Sequence, residues 1–65
     1  MEFRHRARVL IADDHTLIAE ACKSLLEPEF DVVETVSGGL ALLHAAAELQ
    51  PDLVILDISM PDLNL

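Results

Sequence analysis

Two short apolar runs, VLIA at residues 9–12 and LVIL at residues 53–56, each end directly on aspartate. Nothing else in the chain limits its fold as strongly. Runs this short and this continuous fit strands of a parallel sheet covered on both faces. Between them the hydrophobic period changes. Leu17, Ile18, Ala21, Cys22 and Leu25 recur at helical spacing, with Glu20, Lys23 and Glu27 on the other side. Thr16 is suited to cap this helix, and Pro28 stops it at or before Glu27. Residues 31–36 (DVVETV) form a second strand, polar enough on one side to lie at a sheet edge. Ser37-Gly38-Gly39 is a turn with Ser37 as the next cap. Residues 40–49 (LALLHAAAEL) are helical on propensity alone and end before Pro51. Met60-Pro61-Asp62 turns the chain out of the last strand into a loop.

The resulting order, β-α-β-α-β, is that of an α/β fold with a parallel sheet and right-handed crossovers. At 65 residues the chain is one domain at most. A chain of this size buries only about 60% of its unfolded surface, so stability is expected to be marginal.

Charge narrows the function. The chain holds 12 acidic and 4 basic residues, a formal net charge of −8. Three of the basic residues, Arg4, Arg6 and Arg8, precede the first strand and read as a strand edge or a solvated arm, leaving Lys23 alone against the acidic body. Such a body does not hold a polyanion, because affinity for nucleic acid rests on neutralising phosphates. With no Trp or Tyr, base stacking also has almost nothing to work with. Direct nucleic-acid binding is not expected. Cys22 is the sole cysteine, which forbids an internal disulfide and fits a reducing cytoplasm. No apolar run approaches the roughly 20 residues of a membrane span, and the N-terminal run is too short for a signal peptide.

The candidate chemistry lies in Asp13, Asp14 and Asp57, each directly after an apolar strand. In open parallel sheets, ligand sites gather at the carboxyl ends of strands where the strand order reverses. With order 2-1-3, the first and third strands are neighbours about 4.8 Å apart and the three carboxylates converge. Two such charges at about 5 Å repel by roughly 3 kcal/mol at an effective dielectric near 20. No Lys or Arg is nearby in sequence, so the expected compensator is a divalent cation. An all-oxygen site selects a hard ion, Mg²⁺ or Mn²⁺. A cation there also neutralises an incoming phosphate, leaving one carboxylate as nucleophile towards phosphorus. The bland alternative is that these aspartates are solvated strand ends and helix caps.

The stretches Val9-Leu-Ile-Ala-Asp-Asp-His15 and Pro51-Asp-Leu-Val-Ile-Leu-Asp-Ile-Ser-Met-Pro61 closely resemble bacterial response-regulator receiver domains. The Ala-Asp-Asp-His wording is most similar to the NarL/LuxR-type branch, which carries a helix-turn-helix output. The resemblance spans essentially the whole chain and implies a truncated flavodoxin-like (CheY-like) fold. It implies that Asp57 is the phosphoacceptor, receiving its phosphoryl group from the phosphohistidine of a sensor histidine kinase. Asp14 and Asp57 would bind Mg²⁺ directly, Asp13 through water, and the backbone carbonyl of Ser59 would complete the protein ligands.

A receiver of this family has roughly 120 residues and five strands, so residues 1–65 correspond to its N-terminal part. The family's Ser/Thr after the fourth strand and Lys after the fifth have no counterpart here. Leu65 stands where the family usually has Gly. An open edge on the third strand points to a homodimer, by edge pairing or by exchange of elements.

The remaining candidates are weaker. His15 reads as a polar residue at a helix start, since a single imidazole without Cys or His companions is poor evidence for a soft metal. His44 reads as ordinary packing or surface, His5 as part of the basic arm, and Cys22 as core. Gly38-Gly39 lacks the lysine of a P-loop and the spacing of a dinucleotide fingerprint. Two other function classes compete with a receiver. One is a binding or dimerisation fragment that keeps the fold without the chemistry. The other is a phosphohydrolase of the haloacid-dehalogenase type, which wants an aspartate two residues after the nucleophile, where this chain has Ser59.

Overall fold

Strand β1 (Arg8–Ala12) lies in the middle of a three-stranded parallel sheet, flanked by β2 (Asp31–Val36) and β3 (Leu53–Leu56). This computed structural model describes residues 6–62. Arg4, His5 and Leu65 lie outside the described residues. Helix α1 (Thr16–Leu26) connects β1 to β2, and α2 (Gly39–Leu49) connects β2 to β3. The strand order β2-β1-β3 is the expected one. Because the first crossover steps one way from β1 and the second steps back across it, a common handedness places the two helices on opposite faces.

The register puts the site together. Ala12 is aligned with Leu56 on one side and Val36 on the other. The Asp13 amide donates to the Val36 carbonyl at 3.0 Å, and the Asp57 amide donates to the Ala12 carbonyl at 2.9 Å. Both aspartates therefore leave the sheet at the same level, on adjacent strands.

All of Val9, Leu10, Ile11 and Ala12 are buried, as a strand covered on both faces requires. Val9 and Ile11 pack with Ala19, Cys22 and Leu26 of α1, together with Phe30, Val32 and Ile55. Leu10 and Ala12 point the other way by the pleat, towards the face where α2 packs on β1 and β2.

Four local expectations are corrected. The packed face of α1 is Ala19, Cys22 and Leu26, whereas Leu17 and Leu25 are 85% and 80% exposed. A small residue, Ala19, lets the helix lie close over β1, and the leucines are then turned to a flank that no described residue covers. Thr16 does not cap α1. It is the first helical residue, and the cap position is His15, whose amide donates to the Asp13 carboxylate at 2.9 Å. Ser37 does not cap α2 either. Gly38 holds the cap position, and the Gly39 amide donates to the Asp62 carboxylate from 23 residues further on. Strand β3 reads as fully buried in sequence, yet Leu53 and Val54 are exposed on this edge strand.

Nor are the arginines a solvated arm where they are described. Arg6 donates through Nη2 to the carbonyls of Glu27 and Phe30, just past the end of α1. Arg8 donates through Nη1 to the carbonyls of Leu49 and Gln50, at the end of α2. A helix end leaves four carbonyls without intrahelical partners and carries partial negative charge, so a guanidinium is well suited to it. Gln50 turns the chain with a left-handed backbone, φ 47°. No helix among the described residues is long and apolar enough to cross a membrane.

Candidate metal and phosphoacceptor site

Asp13, Asp14, His15 and Asp57 each offer a ligand atom, and these atoms lie within 4.8 Å of one another. Asp13 and Asp57 arrive together because their strands are hydrogen-bonded neighbours in matching register. Asp14 and His15 follow on the short link into α1, so one tight segment supplies three of the four groups.

The imidazole of His15 sits among the carboxylates. Its Nδ1 is 2.8 Å from Asp13 Oδ1, 3.2 Å from Asp14 Oδ1 and 3.3 Å from Asp57 Oδ2. The hydrogen bond to Asp13, then the charge of Asp14, raise the pKa of His15 above its ordinary value. Reading the chain by sequence alone missed this compensator and assigned the whole task to a metal. The only signal was the imidazole directly after the acidic pair. Its place at the start of α1 was read correctly.

Asp57 is held by its own loop. Its Oδ1 accepts the Ser59 amide at 2.9 Å and the Ser59 hydroxyl at 2.7 Å. These two bonds, the hydroxyl's first, push the Asp57 pKa below its ordinary value by stabilising the carboxylate. Asp57 therefore keeps its carboxylate form to lower pH than an ordinary aspartate, with one oxygen engaged by Ser59 and the other turned to the cluster.

The donor set suits a hard divalent cation. Three carboxylates converge, each side chain keeping some solvent access, at 14% exposed for Asp13, 33% for Asp14 and 20% for Asp57. Oxygen ligands of this kind favour Mg²⁺, Ca²⁺ or Mn²⁺ over softer ions. His15 Nδ1 lies within 3.3 Å of all three carboxylates, so a cation bound among them would have to displace the imidazole. A shallow cleft beside the cluster is lined by Ile18, Cys22, Ile55 and Ser59 as well as Asp13, His15 and Asp57. The other candidates stay outside: His44 is exposed on α2, and Cys22 packs partly buried against the core. Gly38-Gly39 receives Asp62.

Residues 9–64 match the family model described as the response regulator receiver domain. Relatives of the chain carry both regulatory and enzymatic names. The chain is 42% identical to a protein-glutamate methylesterase/protein-glutamine glutaminase of a Nocardioides species, over 88% of this chain and 16% of that protein. It is 39% identical to the transcriptional regulatory protein LnrK of Bacillus subtilis, over 88% of this chain and 27% of that protein. It is 35% identical to the nitrate/nitrite response regulator protein NarL of Escherichia coli, over 98% of this chain and 31% of that protein. The chain thus spans less than a third of the length of each of these relatives. With the family's motif residues at the ends of β1 and β3 of a 2-1-3 parallel sheet, the chain belongs to the response regulator receiver domain family.

Proposed function

We propose that the chain is the N-terminal part, residues 1–65, of a receiver that accepts a phosphoryl group on Asp57 from the phosphohistidine of a sensor histidine kinase. The observation that carries this reading is the convergence of Asp13, Asp14 and Asp57 within 4.8 Å, with Asp57 Oδ1 held by Ser59. In the transfer, an Asp57 carboxylate oxygen bonds to phosphorus, the bond from phosphorus to the imidazole nitrogen breaks, and that nitrogen keeps the electron pair. Asp14 and Asp57 would hold Mg²⁺ (or Mn²⁺) directly, Asp13 would do so through water, and the Ser59 carbonyl would complete the protein ligands. When bound, the cation neutralises charge on the incoming phosphoryl oxygens. The site works as a stoichiometric acceptor, with no turnover of its own beyond self-phosphotransfer.

The Ala-Asp-Asp-His sequence and the likeness to NarL and LnrK favour a transcription regulator of the NarL type, working in the bacterial cytoplasm. In that reading the whole protein binds DNA through a separate helix-turn-helix output, not through this acidic segment. The methylesterase relative carries a similar segment within a protein of enzymatic name.

The test is the intact mass of the chain after incubation with acetyl phosphate and Mg²⁺. We expect a gain of one phosphoryl group, absent without Mg²⁺ and absent in Asp57→Asn. A folded chain that gains nothing would sink the reading for this segment.

A second reading, a binding or dimerisation fragment with the receiver fold, is favoured by one observation. Among the described residues, strand β3 has a partner only on its β1 side, with Leu53 48% and Val54 39% exposed. Pairing of this edge with a second copy, or exchange of elements, satisfies its open backbone groups. Light scattering at about 50 µM then gives twice the chain mass, a concentration at which micromolar dimers are well populated. A monomer at that concentration rules the pairing out.

A further inference from the structure

The loop that follows Asp57 is fastened at its far end to another element. Asp62 reaches back to α2, where both of its carboxylate oxygens lie 2.9 Å from the Gly39 amide nitrogen. The fit is close on the receiving side. A Cβ on Gly39 would sit 2.8 Å from the Asp62 backbone oxygen, and a Cβ on Gly38 would sit 3.1 Å from Asp62 Oδ2. The first of these distances is too short for any side chain. The Gly38-Gly39 pair thus forms a notch for Asp62. Between the fastened ends, the Asp57 amide donates to Ala12, the Met60 amide donates to the Asp57 carbonyl at 3.2 Å, and Met60 is buried at 3% exposure. Ser59 lies inside this clamped span, and it is Ser59 that grips Asp57.

We infer that Asp62 is a positioning residue for the phosphoacceptor loop, and that Gly38-Gly39 is its receptor. The carboxylate fits the site twice over, as acceptor for an otherwise unpaired helix amide and as negative charge at a helix N-terminus. By fixing residue 62 to α2, it limits where the 57–62 loop can go and holds Ser59 against Asp57. The part of this inference that concerns metal rests on the function proposed above. The clamp itself does not.

The experiment uses the 65-residue chain and three variants, Asp62→Ala, Asp62→Asn and Gly39→Ala. Without metal, amide hydrogen exchange is read at Met60, with Ile11 in the centre of β1 as the report of global stability. Asp62→Ala should speed Met60 exchange about fivefold beyond any change at Ile11, the factor implied by a lost cap of ordinary strength. Mg²⁺ affinity should weaken about tenfold, the low end for loss of a group that orients a metal ligand. Asp62→Asn keeps an oxygen acceptor for Gly39 but loses the charge, so it should fall between wild type and Asp62→Ala on both readings. Gly39→Ala gives a sign test. Alanine in a helix normally stabilises relative to glycine, but here it must push Asp62 away, so Met60 exchange should rise. Unchanged Met60 exchange in Asp62→Ala, or an equal loss in Asp62→Asn, would overturn the inference. A wild type that binds no Mg²⁺ would defeat the proposed function, while Met60 exchange still decides the clamp.

Discussion

Replacing Asp14 by asparagine should raise the melting temperature of the metal-free chain while removing the further rise that Mg²⁺ gives the wild type. The geometry contains both halves of this result. Three carboxylates share one cluster, and a single imidazole faces all three. Asp13 has a second task, since it accepts the His15 amide, and Asp57 is gripped by Ser59. Asp14 has neither contact and is the most exposed of the three, at 33%. Apart from the His15 imidazole at 3.2 Å, its charge faces like charge. A carboxylate pair at about 5 Å costs roughly 3 kcal/mol at an effective dielectric near 20. Solvent access and the His15 imidazole offset much of that, leaving about 1 kcal/mol to be recovered. For a domain of this size, 1 kcal/mol corresponds to about 4–8 °C. In the wild type, Mg²⁺ at 100 times its dissociation constant should add about 2.7 kcal/mol of stability by mass action. Calorimetry in EDTA and in Mg²⁺ reads both effects. A lower metal-free melting temperature, or an undiminished Mg²⁺ shift, would contradict the assignment of Asp14 to the metal.

The opposite effect is expected at the other end of β1. Arg8→Met should lower stability by about 1.5–3 kcal/mol, the range for hydrogen bonds to charged groups. The methionine keeps most of the apolar stem, so the loss isolates the guanidinium. Helix α2 has no basic residue in its last turn. Arg8 supplies that charge from the strand, donating to the Leu49 and Gln50 carbonyls, while its backbone amide donates to Asp52 Oδ2 at 2.8 Å. At roughly 0.05–0.15 kcal/mol per residue, a chain of this length holds only about 3–10 kcal/mol in all. Losing Arg8 therefore removes a large fraction of it. Urea denaturation followed by circular dichroism should show an earlier midpoint with an unchanged slope. A midpoint shift equivalent to less than about 0.5 kcal/mol, the level of an ordinary surface substitution, would show that the caps are ornamental.

Arg8 and Asp62 also mark the limit of what could be read from the chain. The strands VLIA and LVIL, their aspartates and the 2-1-3 order follow from local patterns, because a buried parallel strand needs a continuous apolar run and its end needs a polar exit. The capping partners do not follow from local patterns. Arg8 reaches residues 41 and 42 positions away, and Asp62 reaches back 23. At the N-termini of α1 and α2, local rules point instead to Thr16 and Ser37, the best hydroxyls at hand, where the structure has His15 and Gly38. The face of α1 failed for a different reason. Apolar residues lie on two of its sides, so periodicity cannot choose between the side led by Leu17 and Leu25 and the side led by Ala19 and Leu26. Close approach to β1 decides it, and that is a property of the sheet. The acidic cluster was legible in position but not in its company, since the sequence reading placed no cation there except a metal.

The central position of β1 also shapes how the chain must come together. Val9 pairs with Val32 on one side and with Leu53 on the other. Of these three strands, β1 is made first yet is not paired on both sides until β3 is in place. Both of its neighbours are distant in sequence, so loop closure must be completed before β1 is rewarded with hydrogen bonds. Until LVIL arrives, VLIA stays an open, apolar template for any other extended segment, the kind of window from which aggregates nucleate. The acidic exit of β1 is then a safeguard as well as a site, because stacking two copies in register would place Asp13 and Asp14 against their own charge.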